Sequence, residues 1–436
     1  MCHAHPGGVK SEGGGYFLWQ PELSATSTVR YAPSQAPRST DPDLVRWRDE
    51  TPGCAYRNHL NNAGAALMPE CVIRAIDDHI TLESHIGGYE AADERVAATE
   101  KVYEGVASLV HAAPRNIAIT PSSTASFIQA LTSIDFQPGD VILTSRCDYT
   151  SNQLHYLSLA RRRSVRIMRA ADLPDGGIDP DSVRALARAR RPRLVAVSWV
   201  PTNSGLVQDV VGVGEICEEL DVPYLVDACQ AAGQLVIDVT RLRCDFLAAT
   251  ARKFLRGPRG VGFLYVSDRA LARGDHPLYV DMRGATWTAP DDMTLAPDAR
   301  RFEDWEFPYA LVLGFGAAVT YAQSIDVARA GARAVGLANH LRTRLAALDR
   351  VRLLDRGRDP CAIVTLDVAG HDAVTIVSEL RRRHINTSAS LAWYGLIDMA
   401  EKQSVSAVRL SPHYYNTIEE IDSAVEAIDE IIRAAH

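Results

Sequence analysis

Short apolar runs alternate with longer amphipathic stretches along this chain from about residue 115 onward. The runs 116–120, 140–144, 164–169, 194–200, 223–227, 246–251 and 260–266 have the length and bounding residues of strands. Between most of them lie 123–134, 152–163, 181–190 and 210–220, whose apolar residues recur at helical spacing. The alternation predicts an α/β fold built on a mainly parallel seven-stranded sheet with helices on both faces. Such sheets bind ligands at the carboxyl ends of their strands, and Asp227 lies at one of these ends.

Past Arg301-Phe302-Glu303 the pattern turns helical over roughly 310–348. A second, smaller α+β unit follows, with strands at 361–367 and 406–410 and helices at 372–383 and 418–435. Thr417 is placed to cap the last helix, with Glu420 completing a capping box. The segments 87–90 and 281–287 read as loops, and residues 1 to about 50 show no period. That first stretch reads as a floppy extension, or else as an arm wrapping a partner subunit.

Composition narrows the function classes. The 436 residues are 47% hydrophobic and 23% charged, as in ordinary globular proteins. A net charge of −8 without Lys or Arg runs disfavours nucleic acid as a partner. No apolar stretch is long enough for a bilayer, and the N-terminus lacks the order of a secretory signal. Eight cysteines without a C-x-x-C pair predict a reduced, cytoplasmic setting and no metal site.

The chemistry centres on Lys253, in Thr250-Ala251-Arg252-Lys253-Phe254, just after a predicted strand. The preceding strand ends in Val226-Asp227-Ala228-Cys229-Gln230. An acid at one strand end and a lysine after the next suit pyridoxal phosphate (PLP). The amine can form a Schiff base, and the acid can keep the pyridine nitrogen protonated. Ser123 and Thr124 open a helix, where N–H groups favour a phosphate, and Thr250 and Arg252 flank the lysine. Arg409, within a short apolar strand, has the planar fork that clamps a carboxylate.

Further pieces stand in order with these: Leu60-Asn61-Asn62-Ala63-Gly64, Pro121-Ser122-Ser123-Thr124, Gly257-Pro258-Arg259-Gly260-Val261-Gly262, Arg301-Phe302-Glu303 and Arg409-Leu410-Ser411-Pro412-His413-Tyr414-Tyr415-Asn416-Thr417. From about Leu60 onward the chain resembles the class V aminotransferase family of PLP enzymes. That group includes cysteine desulfurases, carbon–sulfur lyases and isopenicillin N epimerase-like proteins. The resemblance implies PLP fold type I, a homodimer, and four regions. These are an extension (1–50), a segment associated with the small domain (51–75), a large PLP-binding domain (76–310) and a small C-terminal domain (311–436).

It also implies roles. Lys253 would carry the cofactor and move the α-proton, Asp227 would pair with the ring nitrogen, and Gln230 would bond the phenolic oxygen. Ser123, Thr124, Thr250 and Arg252 would hold the phosphate. Tyr149, in Cys147-Asp148-Tyr149-Thr150-Ser151-Asn152, takes the stacking place where desulfurases use His. Arg409 would bind the substrate carboxylate with help from Asn62 and Gly64, while Tyr89, Arg283 and Trp287 would shape the pocket or reach a neighbouring subunit. Desulfurases also need a cysteine on the loop before the Arg409 strand, and His384 to Tyr394 contains none. Cys361 and Cys229 read as packed core residues. The expected reaction is therefore β-elimination from an S-substituted cysteine or its sulfoxide. Epimerisation, transamination and decarboxylating or oxidative deamination, in secondary metabolism, are the alternatives on the same scaffold.

Overall fold

A computed structural model describes residues 40–434. The predicted extension up to residue 39 lies outside the described residues. Within that extension, Pro42–Asp49 forms a helix whose Leu44 and Trp47 are buried, Trp47 meeting Tyr414 edge-on at 5.1 Å.

Seven strands make the main sheet: β1 (Ile117–Thr120), β2 (Val141–Thr144), β3 (Arg166–Arg169), β4 (Leu194–Ser198), β5 (Tyr224–Asp227), β6 (Phe246–Thr250) and β7 (Gly262–Val266). Their order is β1-β7-β6-β5-β4-β2-β3. Every neighbouring pair is parallel except those of β7, which runs antiparallel to both β1 and β6. Alternate residues serve two apolar cores. Val195 and Val197 of β4, Val226 of β5 and Leu247 and Ala249 of β6 face one; Leu194, Ala196, Leu225, Phe246 and Ala248 face the other. Each buried Val, Leu or Phe contributes roughly 1.5–3 kcal/mol. The edge strand β3 carries Arg166 and Arg169 instead, charges that discourage pairing with another chain.

A second sheet of four antiparallel strands has the order Val351–Leu353, Val364–Val368, Ser406–Leu410, Ser388–Leu391. Its first and last strands were not expected, being only three and four residues long. Asn58–His59 pairs in parallel with Ile385–Asn386, which ties the early chain to the late one. The capping box forms as predicted: the Thr417 N–H donates to Glu420, and the Glu420 N–H donates to Thr417 Oγ1 at 3.1 Å.

One local expectation is refined and two need correcting. The long helical stretch is two helices, Tyr309–Ile325 and Val327–Ala346, bent by 80°. Asp326, at φ 71°, makes the break, and its side chain caps the second helix at Ala328. The 281–287 segment leads into a β-hairpin, Ala285–Ala289 with Asp292–Leu295. Residues 88–90 begin the helix Gly88–Glu94, separated from Glu70–Ile86 by Gly87 at φ 101°. A single left-handed residue was enough to make a helix break look like a loop.

His59 lies buried at the junction. Its Nε2 meets the Ala65 carbonyl at 2.9 Å, and its Nδ1 meets the Asn386 amide at 3.1 Å. Burial pushes its pKa down from 6.5 to about 4. Because the folded value is depressed, this stabilisation is full above pH 6.5 and is lost as pH falls through about 4. The shift corresponds to about 3 kcal/mol. Urea titrations should show the wild type losing about 2–3 kcal/mol more than His59→Gln between pH 7 and pH 4. An equal loss in both proteins would contradict the assignment.

Candidate active site

The main sheet brings its strand ends together. Ser198 of β4 lies opposite Asp227 of β5, and Asp227 opposite Ala248 of β6. Lys253 follows β6 in a tight loop, closed by Gly257 N–H donating to the Ala251 carbonyl at 2.8 Å and Arg256 N–H to the Lys253 carbonyl at 2.9 Å. Lys253 is 7% exposed, and its Nζ stands 5.9 Å from the Tyr149 ring centroid. Burial lowers its pKa, with the charges of Arg252 and Arg409 adding to that, while Cys229 and Asp227 oppose it. A lysine so placed gives up its proton more readily than a surface lysine.

Asp227 is buried. Its Oδ1 accepts from Cys229 N–H at 3.0 Å, and its Oδ2 from Asn152 Nδ2 at 2.9 Å. Gln230 donates through Nε2 to the Ala63 carbonyl and Thr202 Oγ1, both at 3.1 Å, leaving its buried Oε1 without a partner. Arg409 donates to Thr202 Oγ1 at 2.7 Å, the Thr202 carbonyl at 3.2 Å and Asn61 Oδ1 at 3.3 Å. Its buried Nε also lacks a partner. Burial pushes its pKa down to about 10 with Arg252 adding, against Tyr394 and Tyr149.

The helix Ser123–Thr132 begins beside this cluster, with Ser123 hydrogen-bonded to Cys229. Ser122 is its N-cap, accepting from Ala125 N–H at 3.1 Å, so Ser123 and Thr124 are the first helical residues. Close approach here depends on Gly262, where a methyl group would lie 2.5 Å from the Ala249 carbonyl and 3.0 Å from Ser123 N. Thr250 is buried at the end of β6, and Arg252 donates to the Gly64 carbonyl.

Several expected residues stand elsewhere. The Asn62 side chain is wholly engaged with the His59 and Ser411 carbonyls and the Tyr415 hydroxyl, and its neighbour Asn61 is the one that reaches Arg409. Tyr89 and Trp287 are exposed, on the Gly88–Glu94 helix and the hairpin. Arg283 donates to the Asp304 carbonyl at 3.2 Å and stacks on Phe307 at 4.2 Å. Among the described residues no hydrogen bond or ring contact joins these three to Lys253, Asp227 or Arg409. Sequence reading passed over Thr202, Asn152 and Ser198. Ser198 and Thr202 had one signal, a polar residue at or just beyond a strand's carboxyl end, and Asn152 had none beyond its place in the first turn of a helix.

An amine with a lowered pKa, a buried carboxylate and a helix start fit a ligand bearing an aldehyde, a basic ring nitrogen and a phosphate. The unpartnered Arg409 Nε and Gln230 Oε1 leave it polar contacts to complete. Fold and site together define a PLP-dependent enzyme of fold type I. The model of the family described as Aminotransferase class-V matches residues 58–424, and the chain belongs to that family. It is 27% identical to a probable cysteine desulfurase of Methanothermobacter thermautotrophicus, covering 86% of this chain and 94% of the relative. Identity is also 27% to a probable hercynylcysteine sulfoxide lyase of Mycobacterium tuberculosis, covering 88% and 92%. A solved structure of a C-DES mutant, with glycine covalently linked to its PLP cofactor, superposes with a TM-score of 0.78 at 24% identity. The match covers 88% of this chain and 99% of that one. The cofactor is pyridoxal 5'-phosphate.

Behind the lysine loop, Gly233 has φ 94°, and a methyl group there would lie 2.2 Å from the Phe254 carbonyl carbon and 2.4 Å from Leu255 N. Gly233→Ala should therefore both strain its own backbone and push the loop outward. Urea denaturation should show a loss of roughly 1–3 kcal/mol. Unchanged stability would mean that the loop yields freely.

Proposed function

We propose that this enzyme is a lyase that cleaves the C–S bond of an S-substituted cysteine, or of its sulfoxide, by β-elimination without a persulfide cysteine. The observation that carries the reading is the state of the thiols, of which Cys229 is the one beside Lys253. The 384–394 stretch before the Arg409 strand has no cysteine. Burial pushes Cys229 up to about 12, with Asp227 adding to it, and burial likewise pushes Cys361 up to about 12. Thiols held in that range are poor sulfur acceptors. The relative named as a sulfoxide lyase supports the same substrate class.

Bound PLP supplies an electron sink for charge developing at the substrate Cα. The chain's own groups do the rest. Lys253 would take the cofactor aldehyde, Asp227 its ring nitrogen, Gln230 its phenolic oxygen, and Ser123, Thr124, Thr250 and Arg252 its phosphate, with Tyr149 against one ring face. Arg409 is assigned the substrate carboxylate, its open Nε completing a two-toothed contact. Lys253, with its lowered pKa, accepts the α-proton. The Cβ–S bond then breaks, its electron pair leaving with sulfur as thiolate or sulfenate, and the released enamine hydrolyses to pyruvate and ammonia. Tyr149 is assigned to the ring face and the α-proton to Lys253, the amine with the lowered pKa.

The test incubates PLP-loaded protein with S-conjugated cysteines, their sulfoxides and ordinary amino acids. Pyruvate and ammonia should form from the conjugates without any amino acceptor. Lys253→Ala should abolish turnover, and Arg409→Ala should lower kcat/KM by roughly 10²-fold. Keto acid formed only with an acceptor would replace the lyase reading by an aminotransferase. An inverted amino acid would point to an epimerase, and CO₂ or aldehyde to a decarboxylating or oxidative deaminase.

The reading includes a homodimer in a cytoplasmic setting, the latter supported by seven free cysteines among the described residues. Trp287 (79% exposed), Tyr279 (83%) and Met282 (66%) lie on or beside the hairpin as unusually exposed apolar surface. Sedimentation velocity at micromolar concentration should give a dimer that Trp287→Glu weakens. A fully active wild-type monomer would overturn this.

A further inference from the structure

Asp148 is a second buried acid beside Asp227. Its Oδ1 accepts from Ser198 Oγ at 2.6 Å, Tyr149 N–H at 2.7 Å and Asn152 Nδ2 at 3.2 Å. Its Oδ2 accepts from Gln153 Nε2 at 2.9 Å and Thr144 Oγ1 at 3.1 Å. Five donors and no acceptor converge on this carboxylate; burial raises its pKa, and the hydrogen bonds from Ser198, Gln153 and Asn152 oppose that by favouring the anion.

Two of those donors are shared with Asp227. The Asn152 amide, with two protons, reaches Asp227 Oδ2 at 2.9 Å while also serving Asp148. The Ser198 hydroxyl has a single proton. It lies 2.6 Å from Asp148 and 3.4 Å from Asp227, so the proton goes to Asp148. Asp227 thus has only two protein donors and keeps two of its lone-pair directions open, next to a second carboxylate. Both effects raise the affinity of Asp227 for a proton-bearing partner. The same Asp148 oxygen also holds the backbone of Tyr149, the residue whose ring faces Lys253.

We propose that Asp148 is a positioning residue: it fixes Tyr149 and, by taking the shared donors and adding its charge, raises the proton affinity of the pair formed by Asp227 and the cofactor ring nitrogen. The proposal rests on the reading that Asp227 faces that nitrogen. The other ionisable groups around the two acids are few. Tyr156 neighbours both. Lys253, Cys229, Arg252 and Arg409 lie on the Asp227 side. Arg169 reaches Asp148 through Gln153, at 2.5 Å from its Oε1.

The experiment follows the ring nitrogen by ¹⁵N NMR in holoenzyme loaded with ring-labelled PLP, from pH 6 to 10. PLP affinity is measured alongside. The wild type should lose the ring proton only near the top of the range, which fixes its midpoint, and Asp227→Asn should lose it throughout. Asp148→Asn should lower the deprotonation midpoint by about one to two pH units and weaken PLP binding roughly tenfold. A merely structural residue would lower Tm and leave the midpoint where it was. An Asp148→Asn enzyme with wild-type midpoint and affinity overturns the proposal while leaving Asp227 intact. A wild-type ring that is unprotonated, and indifferent to Asp227→Asn, overturns the Asp227 reading instead. Asp148→Ser, smaller and also neutral, is measured identically, so a folding failure of the amide variant does not remove the test.

Discussion

A sheet buried on both faces leaves its polar chemistry one outlet, the carboxyl ends of its strands. The central strands β4, β5 and β6 have no exposed residue, and each sends alternate side chains into two apolar cores. A charged group inside such a strand would be desolvated without relief. At the strand ends, desolvation stops short of exclusion and lowers the pKa of Lys253, and Arg409, reaching in from the second sheet, is lowered by the same burial. The chemistry at this edge depends on that partial burial.

Holding the edge in place takes support from behind. Arg256, almost fully buried, donates to the Leu67 carbonyl at 2.9 Å and Thr51 Oγ1 at 2.6 Å, and stacks on Tyr415 at 4.5 Å. His413 Nε2 bonds the Phe254 carbonyl at 3.0 Å, one residue past Lys253. Burial keeps that imidazole well below its ordinary pKa, hence neutral and able to donate from one nitrogen while accepting Tyr414 N–H at the other. The N-terminal segment and the second sheet thus clamp the lysine loop. A displaced loop would separate Lys253 from Asp227 without changing either residue.

Legibility followed locality. The seven strands of the main sheet were readable because apolar runs of that length between turn residues have few other uses. The Thr417–Glu420 capping box was readable for the same reason, both partners lying within one turn. Short polar strands such as Ser388–Leu391 were not, since only pairing with Ser406–Leu410 makes them strands. The break at Asp326 was hidden in a sequence that suits helix on both sides. Lys253, Asp227 and Arg409 stood out as charges bordering or within apolar runs, whereas Asn61 and Thr202 declare themselves only by touching Arg409.

By itself the sequence determined the α/β alternation, the strand ends that carry chemistry, and a family signature assembled from short motifs in order. Those are properties of neighbours along the chain, set by periodicity and residue type. Only the tertiary structure decided which polar groups share a proton. Asp148 and Ser198 are fifty residues apart and meet because β2 and β4 are neighbours, and Ser198 lies opposite Asp227 because β4 and β5 pair in one register. Distances between elements fix hydrogen bonds and desolvation, and no local pattern encodes them.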